Sequence, residues 1–128
     1  MYNSVYSDSF TVIIDPCPST VIDSYALRNM KIAVQGSADV EVLSSIPQDS
    51  VSKLNGDLSG ETFCGTKSMT IKSVSPSSPA YSEFLSFDTS STPTLTAVTN
   101  DSSYQGVYTV TVEIVLDNYP TIKSTETF

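Results

Sequence analysis

The chain has 128 residues, with 6 basic and 14 acidic side chains, a net charge of −8 and no histidine. That length fits one domain. The acidic balance repels phosphate backbones and anionic lipid surfaces, and the lack of histidine excludes Ser–His and Cys–His catalysis. Charged residues make up only 16% of the chain; Ser and Thr take their place, as on secreted β-proteins. This composition predicts an extracellular or cell-surface protein, with no nucleic-acid partner. No stretch approaches the ~18 apolar residues of a membrane span, so no membrane insertion is expected. Residues 1–7 carry neither a basic region nor an apolar run, so they do not read as a signal peptide.

Period-two alternation dominates from the start. Residues 10–14 (Phe-Thr-Val-Ile-Ile) read as a strand stopped by Asp15-Pro16-Cys17-Pro18. Residues 30–34 and 40–43 alternate in the same way and predict two more strands. Residues 48–62 read as a loop in which Asn55-Gly56 signals a tight turn and residues 49–54 allow one helical turn. Strands are expected again at 69–74, 84–88 and 94–98. The longest is expected at 107–116, with Tyr108, Val110, Val112 and Ile114 on its core face. Asp117-Asn118-Tyr119-Pro120 then turns the chain into residues 121–128. Seven or eight strands with a turn every 8–15 residues predict an all-β, immunoglobulin-like antiparallel sandwich.

Cys17 and Cys64 are the two cysteines. Without histidine or a C-x-x-C pair they do not suggest zinc. A disulfide is expected, the alternative being two buried thiols. The bridge would close a loop of roughly 48 residues, worth on the order of 4 kcal/mol in the chain-entropy model.

The run from Asp101 to Val112 contains Tyr104-Gln105-Gly106-Val107-Tyr108-Thr109-Val110-Thr111. It resembles the corner before strand F of immunoglobulin-like and cadherin-like domains. On that reading Gly106 serves a tight turn, and the Tyr108 hydroxyl bonds backbone across the corner. Trp is absent, and the cysteines do not occupy the antibody positions. Instead, the order of residues 10–14, Asp15-Pro16-Cys17, Cys64-Gly65 and the Tyr104 run resembles the tandem immunoglobulin-like repeats of large surface proteins of ciliates and other protists. That resemblance implies an architectural or adhesive role.

The chain also repeats its own beginning. Tyr2, Ser4, Val5, Ser7, Asp8, Ser9 and Phe10 align, with one gap, on Tyr119, Thr121, Ile122, Ser124, Glu126, Thr127 and Phe128. Two readings follow, besides chance likeness of Ser/Thr-rich strands. Residues 1–9 could be the closing strand of a preceding repeat. They could equally be a strand that adds to the edge of a neighbouring subunit. Either way residues 1–9 form a linking strand ahead of a domain over 10–128, with Val5, Phe10, Val12, Ile122 and Phe128 as assembly positions. The partners are copies of the chain or adjacent repeats, head to tail.

Little in the sequence suggests chemistry. The carboxylates are scattered, so no enzyme, cofactor or metal centre is expected. Asp15, Asp39, Asp88, Asp101 and Asp117 are the loop-end candidates for calcium, but the cadherin calcium signatures are absent. Asn100-Asp101-Ser102 is a glycosylation sequon, and the Ser/Thr/Pro clusters at 75–79 and 89–94 suit O-glycans. An isopeptide bond would need a buried lysine, and the alternation puts Lys31 and Lys72 on polar faces. The sequence thus predicts a structural unit of an extracellular filament. The alternative is an adhesive or carbohydrate-binding module, which the lack of Trp and the dispersed tyrosines disfavour.

Overall fold

The computed structural model describes residues 14–43, 46–54, 63–89 and 92–128. The chain forms two three-stranded antiparallel sheets. One has the order β1 (Asp39–Val42), β4 (Thr94–Ala97), β3 (Leu85–Asp88). The other has the order β2 (Lys67–Ser75), β5 (Thr109–Leu116), β6 (Tyr119–Thr127). The only α-helical element among the described residues is one turn, α1 (Ser50–Leu54). All-β is therefore the architecture, with six strands among the described residues.

The central strand of the second sheet shows why these residues fold so. Val110, Val112, Ile114 and Leu116 recur with period two and all point into the core, the last three fully buried. Leu116 continues this face, so the alternation runs unbroken to the end of the strand. From the other sheet Leu85, Leu95 and Ala97 join the same cluster. β5 and β6 meet in a two-residue connection, Asp117-Asn118, with Leu116 opposite Tyr119. That is two residues shorter than the four-residue turn expected, because Tyr119 and Pro120 already belong to β6.

In β2, Lys67, Met69 and Ile71 face inward, but so does Val74. The pairing with β5 slips between Ile71 and Ser73. A slip of one residue exchanges the faces, which is what brings Val74 to the core.

β1 is inverted relative to its hydrophobicity. Val40 and Val42 are exposed, while Asp39 and Glu41 share the face of their register partners Ala97 and Leu95. Arg28 accounts for this. Its guanidinium lies 2.5 Å from Asp39 Oδ1 and 2.7 Å from Glu41 Oε2, and the Lys31 N–H donates to Asp39 Oδ2 at 2.9 Å.

Residues 30–34 do not form the expected strand. Met30 and Ile32 pack on the core, so the alternation is real. The backbone, however, goes into a turn at Val34–Gln35, where Gln35 takes a left-handed φ of 61° and its N–H donates to Thr99. Apolar alternation selects the buried face; a ladder also needs a neighbour in register. The expected strand at 10–14, and with it Val5, Phe10 and Val12 and the turn at Asn55-Gly56, lies outside the described residues apart from Ile14, which is exposed.

Candidate functional site at the two ends of the domain

The polar and aromatic side chains gather at opposite ends of the second sheet. At the first end, Cys17 and Cys64 form a disulfide with Cα atoms 5.4 Å apart. Gly65 follows with φ +107°, and a Cβ there would fall 2.4 Å from Asn118 Nδ2. The chain thus needs glycine at Cys64-Gly65 for both backbone and space. Asp117, in the β5–β6 connection, accepts from the hydroxyls of Thr66 and Ser68 at 2.5 and 2.6 Å. Asp15 accepts from the Tyr119 hydroxyl and from the Cys17 N–H at 2.9 Å. The Tyr119 bond, then the Cys17 bond, hold the Asp15 carboxyl below its ordinary range.

Beneath this end lies a buried ionic group that the sequence reading missed. Lys67 Nζ is 3.0 Å from Asp49 Oδ2, and neither side chain is reached by solvent. Thr20 Oγ1 donates to Asp49 Oδ1 at 2.6 Å and accepts from the Val51 N–H at 3.1 Å. Lys67 sits in register with Leu116. Withdrawing each charge from water costs several kcal/mol, which close pairing and added hydrogen bonds must offset. The strand register held the signal: Lys67 occupies the inward phase of Met69 and Ile71. A lysine read alone looks like surface.

At the opposite end the Tyr108 hydroxyl donates to the Tyr104 carbonyl at 3.0 Å. The Tyr108 ring lies 4.4 Å from that of Phe84, and Tyr104 lies 6.0 Å from it. Two of the tyrosines that look dispersed in the sequence therefore meet. With Leu85, Val110 and Phe128 they line a cleft of about 670 Å³. Val107, beside it, is 91% exposed. Gly106 has no left-handed φ. The chain bends there, and a Cβ on Gly106 would stand 3.4 Å from the Tyr108 ring, at the near limit of ordinary contact.

The remaining candidates are dispersed. Asn100 is exposed between β4 and a short 3-10 turn, Ser102–Tyr104, that Asp101 caps by accepting from the Ser103 N–H at 2.8 Å. Ile122 is half-buried on β6, which lies at the edge of its sheet among the described residues, and Phe128 pairs with Val110 through both backbone groups. The calcium candidates Asp15, Asp39, Asp101 and Asp117 are each engaged by protein donors, as above. Among the described residues no three acidic, Cys or His side chains group around a common point, and no helix there is long and apolar enough to cross a membrane. On the outer face of the second sheet Glu113 pairs with Lys72 at 2.8 Å and Lys123 at 3.6 Å. No family model, no curated protein and no solved structure matches the chain.

Proposed function

We propose that the domain is a structural unit of an extracellular or cell-surface filament or tandem array, joined head to tail to copies of itself or to adjacent repeats. One observation carries this reading: Asp15, close after the proposed linking segment, and Phe128 lie at opposite ends of β6. Asp15 is held by Tyr119 at the start of that strand, and Phe128 pairs with Val110 beyond its last residue. Nine extended residues separate these points by roughly 30 Å. Junctions at these two ends would place successive units in line.

The immunoglobulin-like assignment, and with it the likeness to protist surface repeats, draws support from topology. The orders β1-β4-β3 and β2-β5-β6 are those of strands B-E-D and C-F-G in an immunoglobulin sandwich. Tyr108 then stands at the start of strand F, its hydroxyl on upstream backbone. The disulfide suits an oxidising compartment, and exposed Asn100 suits a glycan.

The second reading, an adhesive or carbohydrate-binding module, rests on the aromatic cleft of Phe84, Tyr104 and Tyr108. Deleting residues 1–8 distinguishes the two. A filament unit keeps its fold by circular dichroism but no longer assembles, as seen by electron microscopy and sedimentation. Undiminished assembly, or loss of the fold, refutes the linking role of that segment. Shifts of Tyr104 and Tyr108 resonances on adding oligosaccharides would favour the second reading.

A further inference from the structure

We propose that Lys67 and Asp49 join in an intramolecular isopeptide bond. The proposal does not depend on how the domain assembles. Nζ and Oδ2 stand 3.0 Å apart with both side chains closed to solvent. Asp49 is fixed on its other oxygen by the Thr20 hydroxyl at 2.6 Å, and its backbone is held by a bridge to Ile22. Lys67 is fixed at the first position of β2, opposite Leu116. The amine and the carboxyl group that it would attack are thus held in contact, so the reaction needs no further loss of translational freedom, the source of large effective molarities in intramolecular reactions.

The chemistry needs only what the site contains. One proton passes from the Lys67 ammonium to the Asp49 carboxylate, leaving an amine and a carboxylic acid. The amine lone pair attacks Cγ and forms the C–N bond. The C–O bond to the hydroxyl breaks, and that hydroxyl leaves as water with a second proton from nitrogen. Ammonium and carboxylate become amide and water, with atoms and charge balanced and no oxidant or co-reactant. The Thr20 hydroxyl donates to a carboxyl oxygen on which charge develops during attack, a placement that stabilises the tetrahedral intermediate. Exclusion of water favours both steps. Two buried charges that are costly to keep desolvated become a neutral amide. With Cys17–Cys64 the bond would make a second covalent tie at the same end of the domain.

The test is the mass of the purified full chain after reduction. The expected mass is about 18 Da below that of the sequence, one water lost, with a proteolytic fragment in which the peptides containing residues 49 and 67 stay linked. Lys67→Arg should restore the full sequence mass. A wild-type chain at full mass, or a loss of water that maps anywhere but residues 49 and 67, overturns the proposal. The wild-type measurement decides the matter even if the variant does not fold.

Discussion

The hydroxyl of Tyr119 donates to the carboxylate of Asp15, 104 residues earlier in the chain. This contact fastens the incoming chain to the start of β6. It lowers the Asp15 pKa from its ordinary 3.8 and raises that of Tyr119 from 10.0. The signs follow from linkage. A depressed carboxylate contributes stability above its unfolded value, and that contribution is lost as pH falls through the lower, folded value. A raised phenol contributes below its unfolded value and loses that as pH rises through the folded one. Tyr119→Phe should therefore move the Asp15 titration upward, toward 3.8, with the Cys17 N–H bond keeping it short of that value. The Asp15 carboxyl resonance followed by NMR against pH reads this directly. An unmoved titration would mean that the two side chains do not meet in solution.

Two glycines make opposite predictions. Gly65 combines φ +107° with a Cβ position 2.4 Å from Asn118 Nδ2. Gly65→Ala should cost about 1–3 kcal/mol from backbone strain alone, and Asn118→Ala in the same chain should relieve only the collision. Gly106 has ordinary backbone and a Cβ position 3.4 Å from the Tyr108 ring, so Gly106→Ala should stay within about 0.5 kcal/mol of the wild type. Denaturant midpoints of the variants decide both.

The Cys17–Cys64 bridge spans 47 positions. Closing a loop of that size restricts the unfolded chain by about 4 kcal/mol in the chain-entropy model. Cys17→Ala with Cys64→Ala should lower stability by an amount of that order, and adding reductant to the wild type should have the same effect. Equal denaturant midpoints with and without reductant would show that the bridge does not restrict the unfolded chain as the model requires.

Much of this fold could be read from the sequence because its central strand buries one residue in two without interruption. Val110, Val112, Ile114 and Leu116 leave no other face for the core. The disulfide followed from there being two cysteines and no metal-ligand pattern around them, and the single helical turn and the Tyr108 bond from residue types at short spacing. What escaped was set by register and by partners distant in sequence. Residues 30–34 alternate like a strand yet lack a ladder. β1 turns its valines outward because Arg28 reaches back to Asp39 and Glu41. Lys67 belongs to the core because Asp49 waits there. The inward phase of Lys67 in β2 marks it as buried, but nothing local names the carboxylate 18 residues away that neutralises it, and the ion pair emerges only when the sheets are assembled.

Tyr108→Phe removes one hydroxyl and keeps the ring. Its bond to the Tyr104 carbonyl, at 3.0 Å, spans the corner that feeds β5, while ring packing on Phe84 survives the change. The loss should be about 1–2 kcal/mol, the cost of a broken, partly buried hydrogen bond. An unchanged denaturant midpoint would mean that solvent replaces the bond and that the corner contributes no stability.

Val107 tests the proposal that units join at this end of the domain. It is 91% exposed, precedes Tyr108, and stands beside the cleft that Phe128 helps to line. A large apolar side chain so fully in water contributes nothing to the fold of its own domain, so Val107→Asp should leave the thermal midpoint unchanged. If units join in line, the end at which Phe128 leaves is the surface that meets the next unit, and Val107 is buried there. A carboxylate introduced into that contact would have to be desolvated without a partner, which costs far more than the apolar contact it replaces. Sedimentation velocity should accordingly show Val107→Asp as a monomer at concentrations where the wild type associates. Equal association of the two chains, at equal stability, would exclude this end of the domain as the junction.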